Sequence, residues 1–252
     1  MQIWRAAWRF GLGAISIAVG AIVIVLLALV PVRRKGVSLP LLAATKLSRI
    51  FLAIFGVRVY CNDAAQIRQH HGLIFCNHLS YLDIMVLLSV APVRFLSARG
   101  VQRLPFVGWI ATAIDTVFVG RSDPKARAAV RTTLAGQLRV HAHPPLVLFP
   151  EGQVGPGDRV LPMRWGAFEI AGSAHIPYLL SVLIYEPLPV ATYYAADDTL
   201  PKAVWRLATH AAKLTVKLTV LQVHTPDDDF VPAQAAVQAH QLLQAAYGDQ
   251  TA

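Results

Sequence analysis

Between Phe10 and Val32 the chain carries no charged residue, an unbroken run of 23 positions. At 1.5 Å per residue, a helix of that length is about 34 Å long, enough for the hydrocarbon core of a bilayer. Arg5 and Arg9 precede the run, and Arg33, Arg34 and Lys35 follow it. A cleaved signal peptide would share the basic start and the apolar stretch. The length of the run, the immediate Arg-Arg-Lys and the lack of a clear small-x-small cleavage site favour an uncleaved anchor. The larger basic cluster follows the run, which by the positive-inside rule puts the rest of the chain in the cytoplasm. The expected location is a membrane, the bacterial inner membrane, with the main domain on its cytoplasmic face.

Charge placement supports the same setting. Of 23 basic residues, eight lie within the first 60 positions, whereas all 14 acidic residues lie beyond them. A nucleic-acid-binding chain spreads its bases over a recognition surface. Here they flank the greasiest segment, as attraction to an anionic membrane surface requires, so nucleic acid is not an expected partner. The composition, 55% hydrophobic and 15% charged, is too apolar for an ordinary soluble protein. Cys61 and Cys76 have no CxxC spacing and read as reduced thiols.

A second apolar stretch, Leu39–Phe55, is interrupted by Thr45, Lys46, Ser48 and Arg49. It reads either as an interfacial helix with its cations at the headgroups or as an amphipathic helix covering a core. Beyond it, short β-like runs alternate with helical ones. Strands are expected over Val57–Cys61, Gly72–Cys76, Val93–Ala98, Thr116–Val119, Leu146–Phe149, Tyr178–Tyr185 and Leu214–Val223. Helices are expected over Tyr81–Val90, Pro124–Val140, Met163–Ser173, Pro201–Ala211 and Ala233–Ala246. Asp123-Pro124 opens one of these, a capping carboxylate followed by proline. The pattern predicts an α/β domain with a mixed, largely parallel sheet flanked by helices over residues 57–252, preceded by a membrane anchor and interfacial helix over 1–56.

Three segments carry candidate chemistry. In the first, the buried run Gly72–Cys76 empties into Asn77-His78 just before a helix for which Ser80 is a fitting cap. Within one continuous helix, residues five apart point about 140° apart. With His78 in the preceding turn, Asp83 can instead reach back to the imidazole, orient it and leave its other nitrogen to take a proton. The spacing itself selects little, because His224 and Asp229 repeat it within an acidic turn. In the second, the strand Leu146–Phe149 ends in Pro150-Glu151-Gly152, at the strand edge where open α/β sheets bind ligands. Gly152, Gly155 and Gly157 follow, and their backbone can approach a ligand closely. Glu151 is either part of that site or a solvated turn residue. In the third, Phe118-Val119-Gly120-Arg121 places a guanidinium after a strand, suited to clamping a phosphate or to pairing with Asp123. His141 and His143 have the spacing of a metal pair but lack an evident third ligand. His70-His71 reads as a surface turn.

Together and in this order, these segments resemble the glycerolipid acyltransferase family, whose familiar members acylate 1-acylglycerol-3-phosphate. Asn77, His78 and Asp83 match its first motif, Arg121 the end of the second, and Phe149-Pro150-Glu151-Gly152 the whole of the third. Ile176-Pro177 is a looser match to the fourth, so the resemblance covers about residues 60–190. It implies a glycerolipid acyltransferase fold and makes residues 57–252 the catalytic domain. His78 would be the general base and Asp83 its partner, with Arg121, Glu151 and Gly152 binding the polar head of the acceptor. The lysolipid hydroxyl would attack a thioester directly, the donor being acyl-CoA or acyl-carrier protein, with no metal or other cofactor. Neither cysteine has the setting of a covalent acyl carrier.

The chain also departs from the family pattern. Gln153-Val154 stands where threonine-arginine often follows the third motif, and Arg99 stands where a lysine commonly precedes the second. The continuation Gly157–Arg164 looks like a branch with varied lysolipid acceptors, lyso-ornithine lipids among them. There Arg164 either supplies a missing charge to the acceptor or faces solvent. The expected activity is O-acylation of 1-acylglycerol-3-phosphate to phosphatidic acid. The alternatives are another lysolipid acceptor, such as lyso-ornithine lipid, and a non-catalytic lipid-binding membrane protein.

Overall fold

The computed structural model describes residues 2–120, 124–188, 199–210 and 213–251. The apolar run lies in helix α1 (Gln2–Ala28), which starts well before Phe10. Arginine is a good helix former, so Arg5 and Arg9 extend the helix rather than mark its boundary. A two-residue hairpin, β1 (Arg33–Arg34) and β2 (Val37–Ser38), turns the chain into α2 (Leu39–Ile54). The second apolar stretch is therefore a core-covering helix. Leu41, Leu47, Phe51 and Leu52 are buried between α1 and the domain, while Lys46 and Arg49 stay exposed. Close approach of α1 to α2 depends on Gly13 and Gly20, where an added Cβ would lie 2.6 Å from the Phe55 ring and 2.5 Å from Leu47. Small residues at such contacts let helix backbones pack closely.

The domain alternates strands and helices: β3 (Val57–Cys61), α3 (Ala64–Gln69), β4 (Leu73–Cys76), α4 (Leu82–Val90), β5 (Arg94–Ala98), α5 (Arg99–Gln102), α6 (Val107–Ala113), β6 (Val117–Val119), α7 (Pro124–Val140), β7 (Leu146–Leu148), α8 (Trp165–Ala174), β8 (Tyr178–Glu186), α9 (Leu200–Thr209), β9 (Leu214–His224) and α10 (Pro232–Thr251). The seven-stranded sheet has the order β3-β9-β8-β4-β7-β5-β6. Strands β4 to β8 run parallel to one another, whereas β9 is antiparallel to β8 and carries β3 parallel to itself. The mixed, largely parallel α/β sheet read from the sequence is present.

Burial follows position in the sheet. Strand β4 lies between β8 and β7, and all four of its residues are buried, as an apolar run covered on both faces requires. Strand β9 instead alternates, burying Leu214, Val216, Leu218 and Val220. One hydrophobic core runs from Ala6 and Ile24 of α1 through α2 and the sheet to Leu243 and Tyr247 of α10. Because β4 and β7 are parallel neighbours, their carboxyl-terminal turns meet on one edge. Those turns are Asn77-His78 and Phe149–Gly152.

Candidate active site

Asn77 ties the first turn down. Its amide nitrogen donates to the Leu183 carbonyl at 2.9 Å, and its amide oxygen accepts from the Leu183 N–H at 2.7 Å. In this way a side chain continues the pairing of β4 with β8 after the strand itself has ended. The chain is then free to turn at His78. The N-cap position of α4 falls on Tyr81, one residue after the Ser80 read from the sequence, while the Ser80 hydroxyl accepts from the Leu82 N–H at 3.2 Å. Asp83 reaches back over the same turn. Its Oδ2 accepts from the Leu79 and Ser80 N–H groups at 2.8 and 3.1 Å.

That same Oδ2 lies 2.6 Å from His78 Nδ1. Facing a carboxylate, Nδ1 carries the proton and Nε2 is left with its lone pair. The Asp83 side chain is fully buried, and that of His78 is 20% exposed, so the ring borders solvent while its partner does not. Phe149, from the turn after β7, stacks on the imidazole at 4.1 Å between ring centroids and 15° between planes. Ring plane and ring rotation are thus both held.

Glu151 lies in the same cluster but is only 3% exposed. Its Oε1 accepts from the His78 backbone N–H at 2.7 Å and its Oε2 from the Leu161 N–H at 2.8 Å. Burial drives its pKa up, the two backbone donors oppose the rise, and the result is a value raised to about 7. The Gly155 N–H donates to the His78 carbonyl at 2.6 Å. The backbone of His78 is therefore clamped on both sides by the loop after β7. That loop is itself fastened by Tyr247, which donates to the Gly157 carbonyl at 2.6 Å, and by Gln244, which accepts from Val160 N–H. Gly155 and Gly157 are buried against the protein, so their backbone is not offered to a ligand as the sequence reading expected.

Gly152 has φ +74°, and a Cβ there would come within 2.9 Å of Arg164 Nε. The absent side chain lets the exposed Arg164 lay its guanidinium over the turn that holds Phe149, and the Arg164 N–H donates to the Pro150 carbonyl at 3.0 Å. His78, Asp83, Glu151, Gly152 and Arg164 thus gather at one edge of the sheet. Arg121 and Asp123 lie outside the described residues.

Other readings change. His70 is buried, not a surface residue, with Nε2 2.8 Å from the Leu73 carbonyl oxygen. His143 stacks on His71 at 4.7 Å, at the amino-terminal end of β4, opposite the His78 edge. Asp229 is exposed in a turn, as expected of the repeated spacing. Sequence reasoning missed Tyr185, whose hydroxyl donates to Asp83 Oδ1 at 2.5 Å. Its faint signal is a second tyrosine near the end of a mostly apolar strand.

Comparison with known proteins agrees with this geometry. Residues 58–185, just over half of the chain, match the sequence profile of the Acyltransferase family. A lyso-ornithine lipid O-acyltransferase of Rhodobacter capsulatus is 34% identical over 66% of this chain and 59% of its own length. A 1-acyl-sn-glycerol-3-phosphate acyltransferase of Neisseria meningitidis is 27% identical over 70% of this chain and 69% of its own. The match thus spans about three fifths of the first relative. The crystal structure of the 1-acyl-sn-glycerophosphate acyltransferase PlsC from Thermotoga maritima superposes with a TM-score of 0.72, covering 100% of this chain and 98% of that one at 14% identity. That likeness establishes the fold, and the profile match over β3 to β8, which includes both turns around His78, establishes that the chain belongs to the acyltransferase family.

Proposed function

We propose that the protein moves a fatty acyl group from a thioester, acyl-CoA or acyl-carrier protein, to the free hydroxyl of a lysolipid. The observation that carries this reading is the His78–Asp83 pair, a buried carboxylate on Nδ1 of a ring whose other edge meets solvent. As the acceptor oxygen attacks the thioester carbonyl carbon, His78 Nε2 takes the hydroxyl proton. Asp83 holds the ring and stabilises the imidazolium. The carbon–sulfur bond then breaks, and the same proton passes to the leaving thiolate. Phe149 and the Glu151 clamp keep Nε2 where the hydroxyl must arrive, which is catalysis by positioning. Arg164 and Arg121 are the cations we assign to the acceptor's polar head, Arg164 from its place over the Gly152 turn. Glu151 serves that head indirectly, by shaping the turn.

We further propose that α1 holds this edge in a membrane. Among the described residues, α1 is the one helix long and apolar enough to cross a bilayer. It nevertheless lies along the domain, with Ala6, Ala21 and Ile24 buried and Trp4, Trp8, Ile15, Val19 and Leu26 exposed. Its amino-terminal half meets α9 through Phe10 and Trp205, and Arg9 donates to the His210 carbonyl. Helix α9 in turn accepts a hydrogen bond from Tyr81, three residues past His78. Trp4, Trp8 and Trp205 are exposed, and tryptophan is a side chain that favours the membrane interface. On this reading His78 lies near the headgroups, with the outward face of α1 in the apolar layer.

For the acceptor, the first reading is 1-acylglycerol-3-phosphate. A second, lyso-ornithine lipid, is favoured by Gln153-Val154 after the third motif and by likeness to the Rhodobacter protein. Membranes bearing the protein, labelled acyl-CoA or acyl-carrier protein, and a panel of both acceptors with lysophosphatidylethanolamine test this. Transfer to the phosphate monoester supports the first reading, transfer only to lyso-ornithine lipid supports the second, and no transfer to any acceptor refutes both.

A further inference from the structure

Asp83 is a fully buried carboxylate with four hydrogen-bond donors, unevenly divided. Oδ2 receives His78 Nδ1, Leu79 N–H and Ser80 N–H, whereas Oδ1 receives, among the described residues, Tyr185 alone, at 2.5 Å. A buried carboxylate oxygen without a donor is costly. Tyr185 is 2% exposed and sits one residue before the end of β8. Two residues earlier on that strand, Leu183 is the backbone group held by both ends of Asn77. Strand β8 thus reaches the histidine turn at two points, once through Asn77 and once through Tyr185.

We infer that Tyr185 is a positioning residue of the acyl-transfer site, acting through Asp83 to keep its Oδ2 aimed at His78. The inference rests on the reading of His78 as general base. The tyrosine is suited to a permanent donor role, because burial and the adjacent Asp83 charge hold its own pKa well above the usual value. Other titratable groups coupled to this cluster include Cys76 at the end of β4, Tyr81 at the start of α4, Glu151 after β7 and Tyr247 of α10. Burial raises the Cys76 thiol and keeps it neutral near pH 7, whereas Glu151 is raised into that range. Its titration is common to the wild type and the variants compared below.

The test is Tyr185→Phe, alone and combined with Asp83→Asn, with His78→Ala as reference. Acyl transfer is followed from pH 5 to 9 on membrane-bound protein. Loss of one charge-assisted hydrogen bond predicts a kcat roughly tenfold lower with KM little changed. A carboxylate that has lost a donor holds the imidazolium of His78 more strongly, so the acidic limb of kcat/KM moves up by roughly one pH unit. In the Asp83→Asn background, Tyr185→Phe should cost less than about twofold further, because its effect passes through the carboxylate. If Tyr185→Phe matches the wild type while His78→Ala is dead, the inference falls and the base assignment stands. If His78→Ala is active, both fall. Equal losses in both backgrounds would also overturn the inference, since they would mark a merely structural tyrosine. Should Tyr185→Phe fail to accumulate, 3-fluorotyrosine at 185, a stronger donor, is expected to move the acidic limb downward. An unmoved limb would overturn the inference.

Discussion

Replacing Glu151 with glutamine separates the two things this side chain does. As a carboxylate it satisfies two backbone N–H groups, those of His78 and Leu161, at 2.7 and 2.8 Å. Glutamine has one acceptor oxygen, so whichever way it turns, one buried N–H faces an NH2 group. Such an orphan costs about 1–3 kcal/mol. Against that, glutamine ends the cost of keeping a charge in a site 3% exposed. The size of this second effect follows from the pKa, which burial raises from 4.5 to about 7. A carboxyl group whose pKa is raised by folding binds its proton more tightly in the native state. Its contribution to stability is therefore greatest below about pH 4.5, falls as pH rises to about 7, and is flat above. Over that window the loss is roughly 3 kcal/mol. The prediction is that the stability of wild type minus Glu151→Gln falls by about that amount between pH 4.5 and 7, while all other titrations cancel. For a chain of this size it corresponds to a difference in Tm that changes by about 5–10 °C across the window. Thermal unfolding of the detergent-solubilised proteins at matched pH measures it. A difference curve that is flat, or that rises with pH, would refute the account of Glu151 as a buried, charge-disfavoured clamp.

Other perturbations probe the remaining links. Asn77→Ala removes both bonds to Leu183 and is expected to cost about 2–4 kcal/mol of stability, measured by denaturant unfolding, with activity falling in parallel. Arg164→Ala should raise KM for an anionic acceptor by about five- to tenfold with kcat nearly unchanged, the signature of lost uniform binding. A neutral lysolipid compared in the same assay should show no such change. Gly20→Leu forces a side chain onto Leu47 at the contact of α1 with α2 and should destabilise by about 1–3 kcal/mol, seen as a lower Tm with the site residues intact.

Much of the sheet was legible because buried strands declare themselves. The run Leu73–Cys76 is apolar without alternation since it lies between two neighbours, and β9 alternates since one face is less covered. Boundaries shifted where charge was taken as punctuation. Helix α1 continues through Arg9 because that guanidinium finds the His210 carbonyl, 201 residues away. The short helices α3, α5 and α6 escaped notice, being too brief to show a period, although Asp63 does cap α3 by accepting from the Gln66 N–H at 2.8 Å.

The geometry around the candidate site was legible only in its local part. His78 and Asp83 are five residues apart, and the turn at Leu79 and Ser80, whose N–H groups donate to Asp83, suffices to bring them together. Tyr185 lies 102 residues from Asp83 and meets it only because β8 pairs with β4. The burial of Glu151 was equally hidden. It depends on the Leu161 amide and on α10 closing over the loop, and neither contact leaves a mark in the residues next to Glu151.

The account stands on His78 acting as the base. Single-turnover transfer of labelled acyl chain from acyl-CoA or acyl-carrier protein to lysolipid, on membranes bearing wild type or His78→Ala, tests that most directly. A loss of about 100- to 10,000-fold in the variant, at unchanged membrane content and unfolding temperature, is the predicted result. Transfer at a wild-type rate by a folded His78→Ala protein would contradict it.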